Sequence, residues 1–458
     1  MPILFSDVTV VPMDGAPQVL EHAYVAVEGT KIASVGTEPP EGTFDRVVDG
    51  HRITDFGAQR PQGFTGKCID GKGGILMPGL VNAHTHVPMT LMRGYGGGCD
   101  LHTWLNQYIF PAEARLDSRA VAAGAGLGLA EMIASGVTTI ADMYGHTDAV
   151  AQEVAASGIS ANLSVGGVQF TDDFNPDTHN DCRVQRELTE QWHGYNDGQI
   201  LVDASIHAEY TSSPPLWQWM ADFARDYGLR MHAHISETAS EHQGSLERLG
   251  LTPIQALDRC GVWENGGIAA HCVYTTAEDW AIMAAKDVSC VHNPWSNLKL
   301  GSGVAPIPDM LRAGVNIALG TDGMSSHNSA DFFSDLKLAA CLHKGIRRDP
   351  TAVTARQALY MATAGGALAL GRRDTGRIVP GYRADLILVD FEAANLVPCH
   401  DIAENLVFAA HGANVVMNMA RGKVIYEDGA FLTLDLDAIK SEVRRYALPL
   451  VFGGSPTT

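Results

Sequence analysis

Positive charge is scarce in this 458-residue chain: 32 lysines and arginines stand against 52 aspartates and glutamates, a formal net charge of −20. A surface of that sign repels nucleic acid and anionic lipid, so polyanionic partners and membrane surfaces are not expected. Long apolar runs are missing as well. The longest, such as "GGIAAHCVY" and "ADLILVDF", are strand-sized and too short to cross a bilayer. Met1-Pro2-Ile3 opens a strand-like segment with neither a basic flank nor a cleavage site, so export and anchoring are not expected either. The eight cysteines are scattered without a C-x-x-C pair, and Cys272 and Cys290 fall inside apolar strands. That is the usage of free thiols in a reducing cytoplasm. Charged residues make up 18% and hydrophobic residues 46%, which predicts an ordinary packed core and excludes wholesale disorder.

What is present divides into three stretches. Residues 3–36 alternate in the β manner, and residues 37–66, rich in Pro, Gly, Asp and Arg, read as an extended surface excursion. From Gly79 eight apolar strands recur: "GLVNAHTH", "VTTIADMY", "ISANLSVGGV", "ILVDASIHAEYT", "LRMHAHIS", "GGIAAHCVY", "VSCVHNP" and "VNIALGTDG". Helix-sized segments lie between them, including "SPPLWQWMADFARDYG" and "SRAVAAGAGLGLAEMIASG", the latter with Ser118 as N-cap and Gly136 as stop. Eight β-then-α units predict an α/β fold, a distorted (β/α)8 TIM barrel over 79–375. After residue 376 the pattern returns to β, so residues 1–78 and 376–458 are expected to form a small composite β-sandwich domain.

In such a barrel the active site lies at the C-terminal ends of the strands. His84 and His86 end strand one, His207 strand four, His234 strand five, His271 strand six and Asp322 strand eight, with His292 near the end of strand seven. Residues i and i+2 share a strand face, so His84 and His86 form a chelating pair. One such histidine alone reads best as a core imidazole, and Asp322 alone as a turn residue; so many at one rim read as a metal centre. Glu237, in H-x-x-E with His234, hangs over that site from the following loop.

No lysine occurs between Lys72 and Lys286, so a carboxylated lysine bridging two ions from strands one to six is excluded. Glu209 is a candidate to bridge a second ion instead. Three histidines and an aspartate suit one divalent ion with room for a water, zinc by default, with iron and manganese chemically open. His207-Ala208-Glu209 half-matches the H-x-E…P-C-x-x-C deaminase signature. Pro398-Cys399 has no second cysteine after it, so the match is chance.

These residues, with "PGLVNAHTHVPMTLMRG", "TWLNQYIFPAEARL", "HISET", "AAHCVY", "HNPWSNLKLGSGVAP", "LGTDG" and "GRIVPGYRADLILVD", give the chain its family likeness. It resembles the amidohydrolase superfamily over nearly its whole length, and within it the 5′-methylthioadenosine/S-adenosylhomocysteine deaminase group, related to the triazine chlorohydrolases. The resemblance implies His84, His86, His234 and Asp322 as metal ligands, Glu237 as proton shuttle, and His271, with Asp322, steering the attacking water. It further implies Trp104 and Glu113 as nucleoside contacts, with His207 and Ser326 completing them, a small nucleoside as substrate, and self-association into dimers or tetramers. Relatives that accept S-adenosylhomocysteine carry a strand-three arginine where this chain has Val165, with Arg183 a loosely aligned substitute. The departure favours a neutral 5′ end. At Glu209 many relatives have proline. Two rival readings remain: the same machinery acting on guanine, cytosine or a triazine, and a binding protein on a dead barrel, which the intact ligand set disfavours.

Overall fold

The computed structural model describes residues 2–15, 19–50, 67–171 and 173–453. Six strands precede the barrel: β1 (Ile3–Val10), β2 (Leu20–Glu28), β3 (Lys31–Gly36), β4 (Arg46–Asp49), β5 (Lys67–Asp70) and β6 (Ile75–Pro78). Ten parallel segments follow: β7 (Leu80–His86), β8 (Val137–Met143), β9 (Ser160–Ser164), β10 (Ile200–Val202), β11 (Ala204–Ala208), β12 (Met231–Ile235), β13 (Gly267–His271), β14 (Val288–His292), β15 (Ile317–Leu319) and β16 (Asp322–Gly323). Four more end the chain: β17 (Leu386–Val389), β18 (Val415–Ala420), β19 (Lys423–Glu427) and β20 (Ala430–Phe431).

The parallel segments pair as β10-β9-β8-β7-β16 and as β11-β12-β13-β14-β15. β10 and β11 are separated only by Asp203, and β15 and β16 only by Gly320 and Thr321. Positions four and eight are therefore each one broken strand that pairs with one half-sheet and then the other. With a parallel bridge from Gly167 to Ile206, eight positions close into a ring. The two breaks supply the expected distortion, and each has a physical cause. Both carboxylate oxygens of buried Asp203 accept from Asn162 Nδ2 at 3.0 Å. At Gly320 a Cβ would stand 2.4 Å from Asn293 Oδ1 and 2.8 Å from the His84 carbonyl, so no side chain fits. Continuous burial along β7, β8, β9, β12, β13 and β14 matches a sheet covered on both faces.

The two ends of the chain meet in a ten-stranded sheet ordered β20-β19-β18-β17-β6-β1-β2-β3, with β4 and β5 branching from β1. β6 and β17 join them antiparallel, Pro78 opposite Leu386, over a core of Phe5, Val8, Val25, Leu76, Leu386 and Met419. Three expectations need correction. Part of the 37–66 excursion is strand β4, parallel to β1, because Val47 and Val48 bury their side chains; residues 51–66 lie outside the described residues. The helix Ser118–Ala134 is capped by Asp117, whose side chain accepts from Ala120 N at 2.9 Å, and not by Ser118. The last stretch is not all β: Leu436–Glu442 and Leu448–Phe452 are helical and dock on the barrel, where Arg115 donates to the Val451 carbonyl at 2.8 Å. No helix among the described residues is long and apolar enough to cross a membrane. Seven cysteines are free thiols in the described structure.

Candidate active site

His84, His86, His234 and Asp322 converge at the C-terminal mouth of the barrel, each offering one donor atom within 4.8 Å of the others. Asp322 Oδ1 lies 3.4 Å from His84 Nε2 and 3.1 Å from His86 Nε2, and His86 Nε2 lies 3.3 Å from His234 Nε2. Bonds of about 2.05 Å to a tetrahedral ion place neighbouring donors about 3.3 Å apart, so the cluster already has the spacing of a metal shell. Hydrogen bonding fixes which ring nitrogens face inward. His86 Nδ1 is bonded to the Met143 carbonyl and His234 Nδ1 to the His207 carbonyl, so both Nε2 lone pairs point at each other. Two bare lone pairs at that distance repel unless a cation lies between them. His84 Nε2 is buried with no hydrogen-bond partner, which a metal would supply. The residues fit a divalent ion.

The electrostatics agree. Burial holds the His84 imidazole down at about 3 and His207 at about 4, and keeps His234 well below its ordinary range, so these rings stay neutral. Burial also opposes charge on His86, but its hydrogen bond to Asp322 prevails and holds it up at about 9, so that a proton on Nε2 takes the place a metal cation would fill. Asp322, despite burial, is held well below the usual carboxylate range by His84 and His86. Ser296 and Ser326 both donate to its Oδ2.

Backbone strain marks the same spot. Asp322 (φ 60°), His271 (φ 73°) and Ser236 (φ 47°) are left-handed, which costs on the order of 1–3 kcal/mol each; the first two side chains line the mouth, whereas Ser236 Oγ turns away to His242 Nδ1. Glu237 follows Ser236. Its Oε1 accepts from Ser302 Oγ at 3.4 Å and its Oε2 lies 3.8 Å from His271 Nε2; burial raises its carboxyl pKa. His271 Nδ1 bonds Asn297 Oδ1 at 2.8 Å, which leaves its Nε2 unpartnered and facing the mouth.

Above this cluster of candidate metal donors opens a cavity of about 370 Å³. His86, His207, His234, Glu237, His271 and Asp322 form its floor, and Trp104, Glu113 and Tyr144 line its side. Leu101, Leu105, Ile109, Phe110, Val165 and Val168 make up an apolar wall. Burial raises the Glu113 pKa, opposed by the nearby Tyr144 hydroxyl. Ser326 does not line the cavity: its hydroxyl is engaged with Asp322 and the Gly323 carbonyl.

Other sequence candidates are turned away. Glu209 is buried outside the cavity, both oxygens bonded to Arg248 Nη2 at 2.9 and 2.7 Å, so it cannot bridge a second ion. His292 lies off the cavity with its Nε2 3.2 Å from that of His343. Arg183 is spent at the surface on Glu187 and Asn180. Sequence reasoning missed Ser296, Asn297, Tyr144 and Glu241, whose carboxylate accepts from Ser236 N and Glu237 N and holds the turn that presents Glu237. Two of these stood inside the quoted "HNPWSN", and Glu241 four residues after Glu237 carries the spacing of a turn-closing side chain.

Residues 75–425 match the amidohydrolase family. A 5-methylthioadenosine/S-adenosylhomocysteine deaminase of Moorella thermoacetica is 39% identical over 449 residues, covering 97% of this chain and 98% of the relative. A 5'-deoxyadenosine deaminase of Methanosarcina mazei is 39% identical over 449 residues, 98% of each. The crystal structure of an adenosine deaminase from Xanthomonas campestris with bound zinc superposes with a TM-score of 0.86 at 32% identity, covering 98% of both chains. With a metal-donor cluster at the barrel mouth and a match across most of its length, the chain belongs to the amidohydrolase family.

Proposed function

We propose that this chain hydrolytically deaminates an adenine nucleoside with one bound zinc ion. The observation that carries the reading is the meeting of four metal-donor atoms beneath Glu237 and His271, at the floor of a cavity large enough for a nucleoside. The printed activities of the Moorella and Methanosarcina relatives support adenine as the base. The nitrogen-and-oxygen donor set and the zinc in the Xanthomonas structure support the choice of metal. When bound, such an ion supplies Lewis acidity that brings the pKa of a water toward about 7.

The chain's own groups do the rest. Glu237 takes a proton from the attacking water as the oxygen–C6 bond forms, and delivers it to purine N1. His271, its Nδ1 held by Asn297, turns Nε2 toward that water to orient it. A second proton passes from the new hydroxyl to the amino group, the C6–nitrogen bond breaks, and ammonia leaves the keto product. His207 faces the base, Trp104 covers the 5′ group and Glu113 accepts from the ribose hydroxyls. Ser326 is read as a support of Asp322, because its hydroxyl is already bound there. We read residues 79–375 as the catalytic barrel and 1–78 with 376–458 as the β unit that carries it.

Val165 and the apolar wall support a neutral 5′ end: adenosine, 5′-deoxyadenosine or 5′-methylthioadenosine in preference to S-adenosylhomocysteine. A carboxylate there would lose water without gaining a cation. The test is purified enzyme of measured metal content, assayed for ammonia release on these four nucleosides, guanine and cytosine, and for chloride release on a chlorotriazine. Turnover confined to the last three overturns the reading. Glu237→Gln is expected to keep stoichiometric zinc and lose about 10²–10⁴-fold in kcat; wild-type turnover would remove the shuttle.

A further inference from the structure

The sequence contains a second H-x-H, His232 and His234 on β12, with the same spacing as His84 and His86. Only His234 belongs to the metal cluster. His232 is fully buried, and its Nε2 meets His84 Nδ1 at 2.8 Å. On its other side Nδ1 faces Ser164 Oγ at 3.3 Å, and Ser164 Oγ in turn faces the Asp142 carbonyl at 3.3 Å.

We propose that His232 is a positioning residue that fixes the tautomer and orientation of His84; the inference rests on the reading of this site as a metal centre. Each ligand histidine must carry its proton on Nδ1 if Nε2 is to bind an ion. For His86 and His234 a backbone carbonyl enforces this, since a carbonyl only accepts. His84 has no such partner, and an imidazole can donate or accept. Its direction is set further back. The Asp142 carbonyl can only accept, so the Ser164 proton points to it. Ser164 Oγ then accepts from His232 Nδ1–H. That leaves His232 Nε2 bare to accept from His84 Nδ1–H, and His84 Nε2 bare toward Asp322. The chain of three bonds crosses β8, β9, β12 and β7 and ends at the orphaned buried nitrogen. A carbonyl on β8 thus dictates the proton of a ligand on the neighbouring strand β7, by a path through β9 and β12. Residues that orient metal-binding histidines in this way are typically worth about 10–100-fold in metal affinity.

The test titrates zinc-stripped full-length protein with Zn²⁺ against a chromophoric chelator, and records the visible spectrum of the Co²⁺ form. His232→Leu keeps bulk but cannot accept; it is expected to bind Zn²⁺ about 10–100-fold more weakly and to shift the Co²⁺ bands. His232→Gln, whose Oε1 can accept from His84 Nδ1, is expected to recover most of both. Ser164→Ala is expected to weaken binding in the same direction by a smaller factor. Wild-type protein that takes up no metal overturns the metal centre itself. Wild-type binding with an unchanged His232→Leu, or equal defects in His232→Leu and His232→Gln, overturns the relay alone. Should His232→Leu fail to fold, unchanged zinc affinity in Ser164→Ala overturns it.

Discussion

Floor and wall of the cavity come from different parts of the chain. The four candidate metal-donor side chains lie in the C-terminal parts of β7, β12 and β16, and hydrogen bonds tie each one to another strand or to the short helix after β14. The wall comes from the helical run between Leu101 and Glu113 and from the segment after β9, where Val165 and Val168 present only hydrocarbon. Trp104, the largest side chain of that wall, makes one long hydrogen bond, Nε1 to the Tyr95 carbonyl at 3.4 Å. A floor built on strands holds donor atoms to the tolerance a metal shell demands, whereas a wall of apolar contacts tolerates exchange of side chains. Chemistry and substrate choice are therefore separable here.

Substitutions break that separation in a graded way. The largest effect is expected from Asp322→Ala, which removes the donor contacted by two ligands: stoichiometric zinc and detectable turnover should both vanish, as metal analysis and ammonia release would report. Trp104→Ala should leave zinc in place and lower kcat/KM about 10–100-fold through lost apolar burial, mostly in KM. Val165→Arg should improve S-adenosylhomocysteine relative to adenosine about tenfold without changing zinc content, since it restores a cation for the carboxylate. No change in that ratio would place the 5′ end elsewhere. Glu237 must be ionised to accept a proton, and burial raises its pKa above the ordinary 4.5, so activity should fall with acid at a pH above that value. An acid limb at or below 4.5 would remove Glu237 as the base. Arg183→Ala should change kcat/KM by less than about twofold on every substrate, because its exposed pairing with Glu187 is worth little.

Much of the floor could be read from residue order alone. An i, i+2 pair on a strand shares a face whatever the rest of the molecule does, so His84 and His86 announced a chelate, and eight strand-sized runs announced the barrel. The same rule misleads at His232, which has the spacing of a ligand and serves another ring. Period-two alternation says which face a side chain takes, not how deep in the barrel it sits. Glu209 fails for a related reason: its position at a strand end was visible, but a partner 39 residues on, Arg248, turns it away. Neutral groups such as Asn297 and Ser296 carry no pattern of their own, because an amide or hydroxyl becomes functional only through the atom it meets.

Local periodicity and residue chemistry, properties of consecutive residues, were sufficient to specify an acidic chain, a β/α alternation and the side chains able to bind a metal. Which of those side chains meet, at what spacing and in which tautomer, depended on closure of the ring through the breaks at Asp203 and Gly320. Atoms far apart in the chain acquire fixed distances only when strands from both halves of the barrel pack against one another.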